Sequence, residues 1–368
     1  MSNKTTSICR KFRLLLYFML ILQAANAQKD FGKVDNWLKD NLEELGGRAV
    51  LVIYKDGKVV YSQSENGLSK RQKMVAKFIA KRKGKDASEM TEDLDPSSRL
   101  MIASCSKWLS AALVMTFVDE GKLNVDDSIG KFLPIMTANG KGNIKIWQCL
   151  SHLTGIKSGT LKESINEMKE IKSMDEAMEK IAHQPMEGEP GKTFHYSNVG
   201  LQIAGAVIEK ISGKSFETLF AERIAKPCEM KNTDFGKGPV ALPAGGAFCT
   251  AEDYMKFLEM ILHNGKYNGK QVLSESSIVK MQQNYAKGAI VIFSPAEAGG
   301  WGYGFGEWVM KEPNVRSEGV TSPGLFGSFP WVDNEKKYAG FLFCFNLKSK
   351  GRNERYKELK KLVDEALK

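Results

Sequence analysis

The segments of this chain most strongly committed to β-structure lie near its two ends. Ala49-Val50-Leu51-Val52-Ile53-Tyr54 and Val59-Val60-Tyr61 flank Lys55-Asp56-Gly57-Lys58, and Asp-Gly between two β-rich runs is a strong signal for a tight antiparallel hairpin. Near the other end, Gly327-Ser328-Phe329-Pro330-Trp331-Val332 and Tyr338 to Phe345 read as strands around an Asp333-Asn334-Glu335 turn, followed by a Lys- and Glu-rich helix from about Glu354 to Leu367. The middle is mostly helical, most clearly at Trp108 to Glu120, stopped by Gly121, and at Gly200 to Ile211, stopped by Ser212-Gly213. Such an arrangement can share one core only if a single sheet is assembled from distant segments, with a helical region inserted between them. The expected fold is therefore α/β (α+β): an antiparallel sheet from both chain ends, flanked by helices, with a helical subdomain roughly within 120–240. At 368 residues and 42% hydrophobic the chain can bury such a core, and disorder, collagen and coiled coil are excluded as descriptions of the whole. No internal repeat is visible.

The N-terminus reads as an address rather than as structure. Lys4, Arg10, Lys11 and Arg13 precede the apolar run Leu14 to Leu22, and Ala25-Asn26-Ala27 follows, the pattern of a secretory signal. Residues 1–27 are expected to be a signal peptide cleaved before Gln28, leaving residues 28–368 as a single secreted or periplasmic domain. The alternative is an uncleaved anchor, against which stands an apolar run well short of the ~20 residues a span needs. No stable membrane span is expected after cleavage.

Removing those four bases lowers the formal net charge from +10 to +6. Part of the surplus sits in Lys70, Arg71, Lys73, Lys77, Lys81, Arg82, Lys83 and Lys85, immediately before Asp86, Glu89, Glu92, Asp93 and Asp95. Binding to an anionic surface or to nucleic acid is conceivable for such a run. With acids following at once and no interleaved aromatic platform, a solvated helix or loop explains the composition better, and no nucleic-acid partner is expected. Cys105, Cys149, Cys228, Cys249 and Cys344 show no metal-ligand spacing and sit mostly in apolar runs. They read as buried thiols, and no metal and no organic cofactor is expected.

Chemistry enters at Ile102-Ala103-Ser104-Cys105-Ser106-Lys107-Trp108. A Ser and a Lys three apart at the start of a helix share one face. A lysine buried beside a serine can lose its charge and accept the hydroxyl proton. S-x-x-K also occurs at Ser128/Lys131 and Ser277/Lys280. Those two lie in a polar stretch and in the polar opening of another helix, where capping is the simpler reading. Only Ser104 opens a helix that is apolar nearly all round and hence buried. A second element, Phe194-His195-Tyr196-Ser197-Asn198, holds the only Y-x-N of the chain. Its phenol can relay a proton and its amide can orient a lysine or a carbonyl. There is no G-x-S-x-G and no H-E-x-x-H. The Gly299 to Gly306 run fits no phosphate loop and reads as an irregular strand or loop. His152 and His195 read as structural, His183 and His263 as superficial.

The two elements, in this order, resemble the serine β-lactamase and D-Ala-D-Ala peptidase superfamily, especially its branch of class C-like β-lactamases, esterases and related hydrolases. Gly121 to Asp127, Ile144 to Ile156 and Ala244 to Asp253 look like family segments in the family's order, so the resemblance covers roughly residues 35 to 350. It implies a β-lactamase/transpeptidase-like fold, Ser104 as acylated nucleophile, Lys107 as its base partner, and Tyr196 with Asn198 as the second motif. The third motif departs from the pattern. Where the family carries Lys-Thr-Gly or His-x-Gly, this chain reads Ser322-Pro323-Gly324-Leu325. The glycine is kept and the cation is lost; Lys157-Ser158-Gly159 has suitable letters in the wrong order along the chain. The resemblance further implies an oxyanion hole from the backbone N–H groups of Ser104 and Leu325, with Ser322 and Gly324 lining the substrate site. The expectation is a secreted serine hydrolase acting on small-molecule esters or amides. A β-lactamase or D-Ala-D-Ala carboxypeptidase taking β-lactam-like substrates is the first alternative, and a non-catalytic penicillin-binding or sensor domain is the second.

Overall fold

A computed structural model of the chain describes residues 30–82, 87–159, 171–311, 317–346 and 348–368. The expected leader, residues 1–27, lies outside the described residues.

The Asp-Gly hairpin forms as expected, joining Arg48–Lys55 (β1) to Lys58–Asn66 (β2), with Asp56 and Gly57 at φ 53° and 79°, the left-handed pair that a tight hairpin of this twist requires. The helix Lys70–Arg82 (α2) follows, while Gly32–Asp40 (α1) precedes the hairpin. Next come Leu100–Met101 (β3), the helix Ser106–Asp119 (α3) and the short helix Ile146–Leu150 (α4). Thr193–His195 (β4), Val199–Ser212 (α5), Phe248–Cys249 (β5), Ala251–Leu262 (α6) and Ile290–Phe293 (β6) carry the chain back to the sheet. Its C-terminal strands are Gly302–Tyr303 (β7), Trp308–Val309 (β8), Gly319–Thr321 (β9), Phe329–Asp333 (β10) and Tyr338–Cys344 (β11), before the last helix, Arg352–Ala366 (α7).

Strands from both ends build one seven-stranded sheet in the order β2-β1-β11-β10-β9-β8-β7. All its pairings are antiparallel, and Val50 stands opposite Phe343 where the two ends of the chain meet. The unbroken apolar runs of β1 and β11 follow from burial on both faces, with alternate residues going to opposite layers. Val50, Val52, Tyr54, Phe341 and Phe343 enter the larger core, with α3, α5 and α6. Ala49, Leu51, Ile53, Leu342 and Cys344 enter the smaller one, closed by Trp37 and Leu38 of α1 and Tyr356, Leu359 and Val363 of α7.

The apolar helix behind Ser104 is buried from Ser106 through Phe117, which is why it shows no hydrophilic face. It begins slightly earlier than the sequence reading placed it. The five cysteines among the described residues are free and buried, and no helix among those residues is long and apolar enough to cross a membrane. Of the basic run, Lys70 to Arg82 form α2, and Lys83 and Lys85 lie outside the described residues. His195 is half-buried rather than superficial or core, and His152 is fully buried.

Helix α5, which starts just after the Tyr-x-Asn element, docks on α4 through Gly200. A Cβ there would stand 2.0 Å from the Cys149 carbonyl oxygen. Alanine favours a helix over glycine by up to about 1 kcal/mol, but this contact is with rigid backbone, and overpacking costs about 1–3 kcal/mol. Gly200→Ala is therefore expected to lower the urea midpoint, with a net loss of about 1–2 kcal/mol; an unchanged or raised midpoint would show that the two helices separate freely.

Candidate active site

Ser104 lies in a 3-10 turn, Ala103–Cys105, that runs directly into α3. Ala103 has φ 46°, a left-handed conformation costly for a residue with a Cβ and held only where the surroundings over-determine it. They do: the Ala103 carbonyl accepts from Ser106 Oγ at 2.6 Å, and that hydroxyl accepts from the Ala247 N–H at 3.0 Å. Ile102 N–H donates to the Ala247 carbonyl. Among its neighbours in the turn Ser104 alone keeps partial solvent access.

Lys107, one turn on, is 1% exposed. Its Nζ lies 2.7 Å from the Ala244 carbonyl oxygen, 3.2 Å from Ser104 Oγ and 3.3 Å from Asn198 Oδ1. Burial pushes its amine down to about 7. The Ala244 to Asp253 segment thus lies against the turn and the lysine through its backbone, while Pro243 accepts from Ser110 Oγ.

Tyr196 stands with its ring 4.8 Å from Lys107 Nζ. Burial raises its phenol above the usual range, and hydrogen bonding to Ser104 partly offsets this. Its ring is held by His152, Trp308 and Tyr303 at centroid distances of 4.7, 5.1 and 5.9 Å. His152, at φ 60°, accepts from the Ser197 N–H at Nδ1 and meets the Tyr303 hydroxyl at Nε2, 3.0 Å away. Burial, and then the nearby Lys107, holds this imidazole neutral, well below its ordinary range. Asn198 occupies the N-cap position of α5 without capping it; its amide oxygen faces Lys107 instead. His195 Nδ1 pairs with Glu187 at 2.5 Å.

The third-motif loop closes the other side. Ser322 is buried, its hydroxyl shared between the carbonyls of Gly306 at 3.0 Å and Ser104 at 3.2 Å. It therefore braces the nucleophile turn, a correction to the expectation that its side chain lines the substrate site. Gly324 packs so tightly that a Cβ would come within 2.5 Å of the Ile102 carbonyl oxygen, which is why glycine survives where the cation does not. The Leu325 carbonyl accepts from Arg352 Nη1 at 2.9 Å, and the same guanidinium holds the carbonyls of Asn346 and Lys348 and the carboxylate of Glu297. Arg316, a loop cation next to this region in sequence, lies outside the described residues.

The structure thus brings Ser104, Lys107, Tyr196, Asn198 and the Ser322 to Leu325 loop together, and leaves the other two S-x-x-K pairs apart. Ser277 donates to Asp119 at 2.6 Å, and Ser128 accepts from Lys145 at 2.9 Å. Neither makes the side-chain cap expected: Ser128 precedes the 3-10 turn Ile129–Lys131 without a side-chain cap bond, and Ser274 caps the helix Glu275–Met281 that holds Ser277. Missed in the sequence were Ala244, whose carbonyl leaves no side-chain signal, Arg352, and the pair Tyr303 and Trp308. The aromatic-glycine alternation of Trp301 to Gly306 was the available signal for Tyr303. Cys105 is fully buried and its thiol is raised well above its ordinary range, so it stays protonated beside Ser104. Among the described residues no cluster of His, Cys, Asp and Glu could hold a metal ion. Beside Tyr196, β6 pairs in parallel with β4, and Tyr196 N–H donates to the Phe293 carbonyl at 3.0 Å. Its side chains Ile290, Val291, Ile292 and Phe293 are 67, 58, 50 and 49% exposed, an apolar rim next to the site.

Chemically, an amine that burial inclines to lose its charge, in contact with an accessible serine hydroxyl and next to a phenol held protonated, is an arrangement able to supply a nucleophile, a base and an acid. Protein Rv1367c of Mycobacterium tuberculosis (strain ATCC 25618 / H37Rv) is 25% identical over 285 residues, covering 62% of this chain and 71% of that protein. A Bacteroides dorei DSM 17855 protein assigned as a beta-lactamase superposes with a TM-score of 0.76 at 24% identity, over 92% of this chain and 99% of the other. EstCE1, a hydrolase with promiscuous acyltransferase activity, superposes with a TM-score of 0.71 at 18% identity, over 92% and 99%. The model of the family described as Beta-lactamase matches residues 35–365, nearly the whole of the sheet, the inserted helices and the site they surround, and the chain belongs to that family.

Proposed function

We propose that this chain is a secreted or periplasmic serine hydrolase that forms an acyl-enzyme on Ser104 and transfers the acyl group to water, with esters or small amides as substrates. The observation that carries this reading is Lys107, buried without a carboxylate partner among the described residues and in contact with the one accessible hydroxyl of its turn. A neutral amine has two N–H donors and one lone pair. The Ala244 carbonyl and the Asn198 amide oxygen can only accept, so they take the two donors and leave the lone pair to the Ser104 hydroxyl.

The chemistry follows from that assignment. Ser104 Oγ bonds to the substrate carbonyl carbon as its proton passes to Lys107 Nζ. The resulting oxyanion is received by the backbone N–H groups of Ser104 and Leu325. Collapse breaks the bond to the leaving group, which takes the proton of the Tyr196 hydroxyl, and Lys107 returns its proton to the phenolate. Water then attacks the acyl-enzyme by the same route reversed. His152, held neutral, fixes the Tyr196 ring without joining the transfer. Arg352 holds the Leu325 loop in place.

Two features favour esters over carboxylate-bearing lactams. Ser322 supplies no charge and is turned inward, and the apolar β6 borders the site. Family membership keeps a β-lactamase or D-Ala-D-Ala carboxypeptidase as the second reading. A pocket that binds without turnover is the third.

Ser104→Ala is expected to lower hydrolysis of activated esters by about ten-thousand-fold or more, with far-UV circular dichroism unchanged and labelling by a fluorophosphonate abolished. Persistent turnover, or an adduct mapped by mass spectrometry to another serine, would move the nucleophile elsewhere; stable labelling of the unmutated protein without ester turnover would favour the binding domain.

The lysine base works unprotonated, so kcat/KM for esters is expected to rise with pH through an apparent pKa of about 7 and level off above it. Lys107→Ala should remove that limb along with most of the rate. A limb well above pH 9 would mean that the amine is charged in the working enzyme.

A charge-assisted hydrogen bond to a substrate carboxylate contributes about 1.5–3 kcal/mol, and its absence corresponds to roughly ten- to a hundredfold. Small neutral acyl esters should therefore show kcat/KM above penicillins and cephalosporins by at least that factor. Efficient cephalosporin turnover with negligible esterase activity would promote the lactamase reading.

A further inference from the structure

Of the described residues, α2 combines charge and exposed apolar surface in a way no part of the proposed chemistry uses. Lys70, Arg71, Lys73, Lys77, Lys81 and Arg82 lie on it with no acid. Ala76 and Ala80 face the protein, whereas Met74, Val75 and Phe78 are 70, 50 and 67% exposed. On a helix of 3.6 residues per turn, Met74 and Phe78 stand about 40° apart. Lys70, Lys77 and Lys81 fall on one flank of that strip, Arg71, Arg82 and Val75 on the other. Of the acids that follow, Asp95 accepts from Ser97 and Ser98, and Glu92 and Asp93 lie against Arg48; Asp86 and the Glu89 side chain lie outside the described residues.

We propose that α2 is an interfacial docking helix for a bilayer surface carrying anionic lipids. The flanking bases suit a negatively charged headgroup layer, and the apolar strip between them suits the acyl boundary just beneath it. A nucleic acid would use the bases but gain nothing from Met74 and Val75, and a lone Phe78 makes no stacking platform. The helix would therefore hold the enzyme at a membrane surface independently of its catalytic chemistry.

The test is co-sedimentation of the full chain with phosphatidylcholine vesicles with or without phosphatidylglycerol, together with a photoreactive phosphatidylcholine whose adducts are mapped by mass spectrometry. Each base near an anionic surface contributes roughly fivefold, so Lys77→Glu/Lys81→Glu should weaken binding to the anionic vesicles by at least about 25-fold. Met74→Ser/Phe78→Ser should weaken it by at least about 16-fold, the equivalent of two CH₂ groups leaving the boundary at about fourfold each. Adducts should fall within residues 70–82, and the melting curves of both variants should match the unmutated chain. Residues 1–27 are the same in every protein compared and contribute equally. The proposal is overturned if both double variants bind as the unmutated chain does, or if adducts map away from α2. It is equally overturned if only charge reversal weakens binding and duplex DNA is bound more tightly than the vesicles, which would make α2 a polyanion face.

Discussion

Taking a lysine amine out of water without a countercharge is the constraint around which the site is built. The cost is several kcal/mol for an ion and far less for a neutral amine, so the amine gives up its charge and every nearby group must suit the neutral form. The groups around Lys107 do. They are a backbone carbonyl, a side-chain amide, a serine hydroxyl and an aromatic ring, and His152, the nearby group able to add a positive charge, is itself held neutral. The all-round burial of α3 is the other side of the same requirement. A helix with a wet face would let water reach Nζ and restore its charge.

Holding that arrangement takes segments far apart in the chain. Ala244 is 137 residues from Lys107, and Ser322 is 218 residues from the Ser104 carbonyl it braces. The sheet makes this possible because β1 and β11 join the chain ends while each buries both faces. The third-motif loop, between β9 and β10, is thereby fixed against the start of α3. Arg352, at the start of α7, then ties the Leu325 carbonyl to the loop after β11. The small core between the sheet and the terminal helices thus reaches the site through one guanidinium.

What could be read from the sequence is what leaves a local or compositional trace. The hairpin was marked by Asp56-Gly57, the central strands by unbroken apolar runs, and the choice among three S-x-x-K pairs by the apolar helix behind Ser104. The environment of Lys107 was not legible, because a carbonyl such as Ala244's belongs to every residue and its placement depends on the whole fold. Ser322 was misjudged for a related reason: position in a motif says where a residue stands, whereas its rotamer is decided by carbonyls of Gly306 and Ser104 that lie elsewhere in sequence. Gly200, by contrast, looked like an ordinary helix glycine, and its expected sensitivity to alanine comes entirely from the Cys149 carbonyl it meets.

One physical cause sets both ends of the proposed proton path. In water a tyrosine and a lysine lose their protons at nearly the same pH, with the phenol slightly the stronger acid. Desolvation disfavours the charged form of each, and so drives the two apart: the Lys107 amine falls to about 7 while the Tyr196 phenol rises above its ordinary range. Above about pH 7 the pair therefore rests as amine and phenol, with no ion in the site. The ion pair that would form if the phenol gave its proton to the amine is the state burial penalises most. On the proposed mechanism this leaves the amine free to take the Ser104 proton and the phenol holding one for the leaving group, and no carboxylate is needed to keep them apart. Water let in around Nζ would bring the two values together again, and the division of labour between base and acid would be lost before any residue of the site was changed.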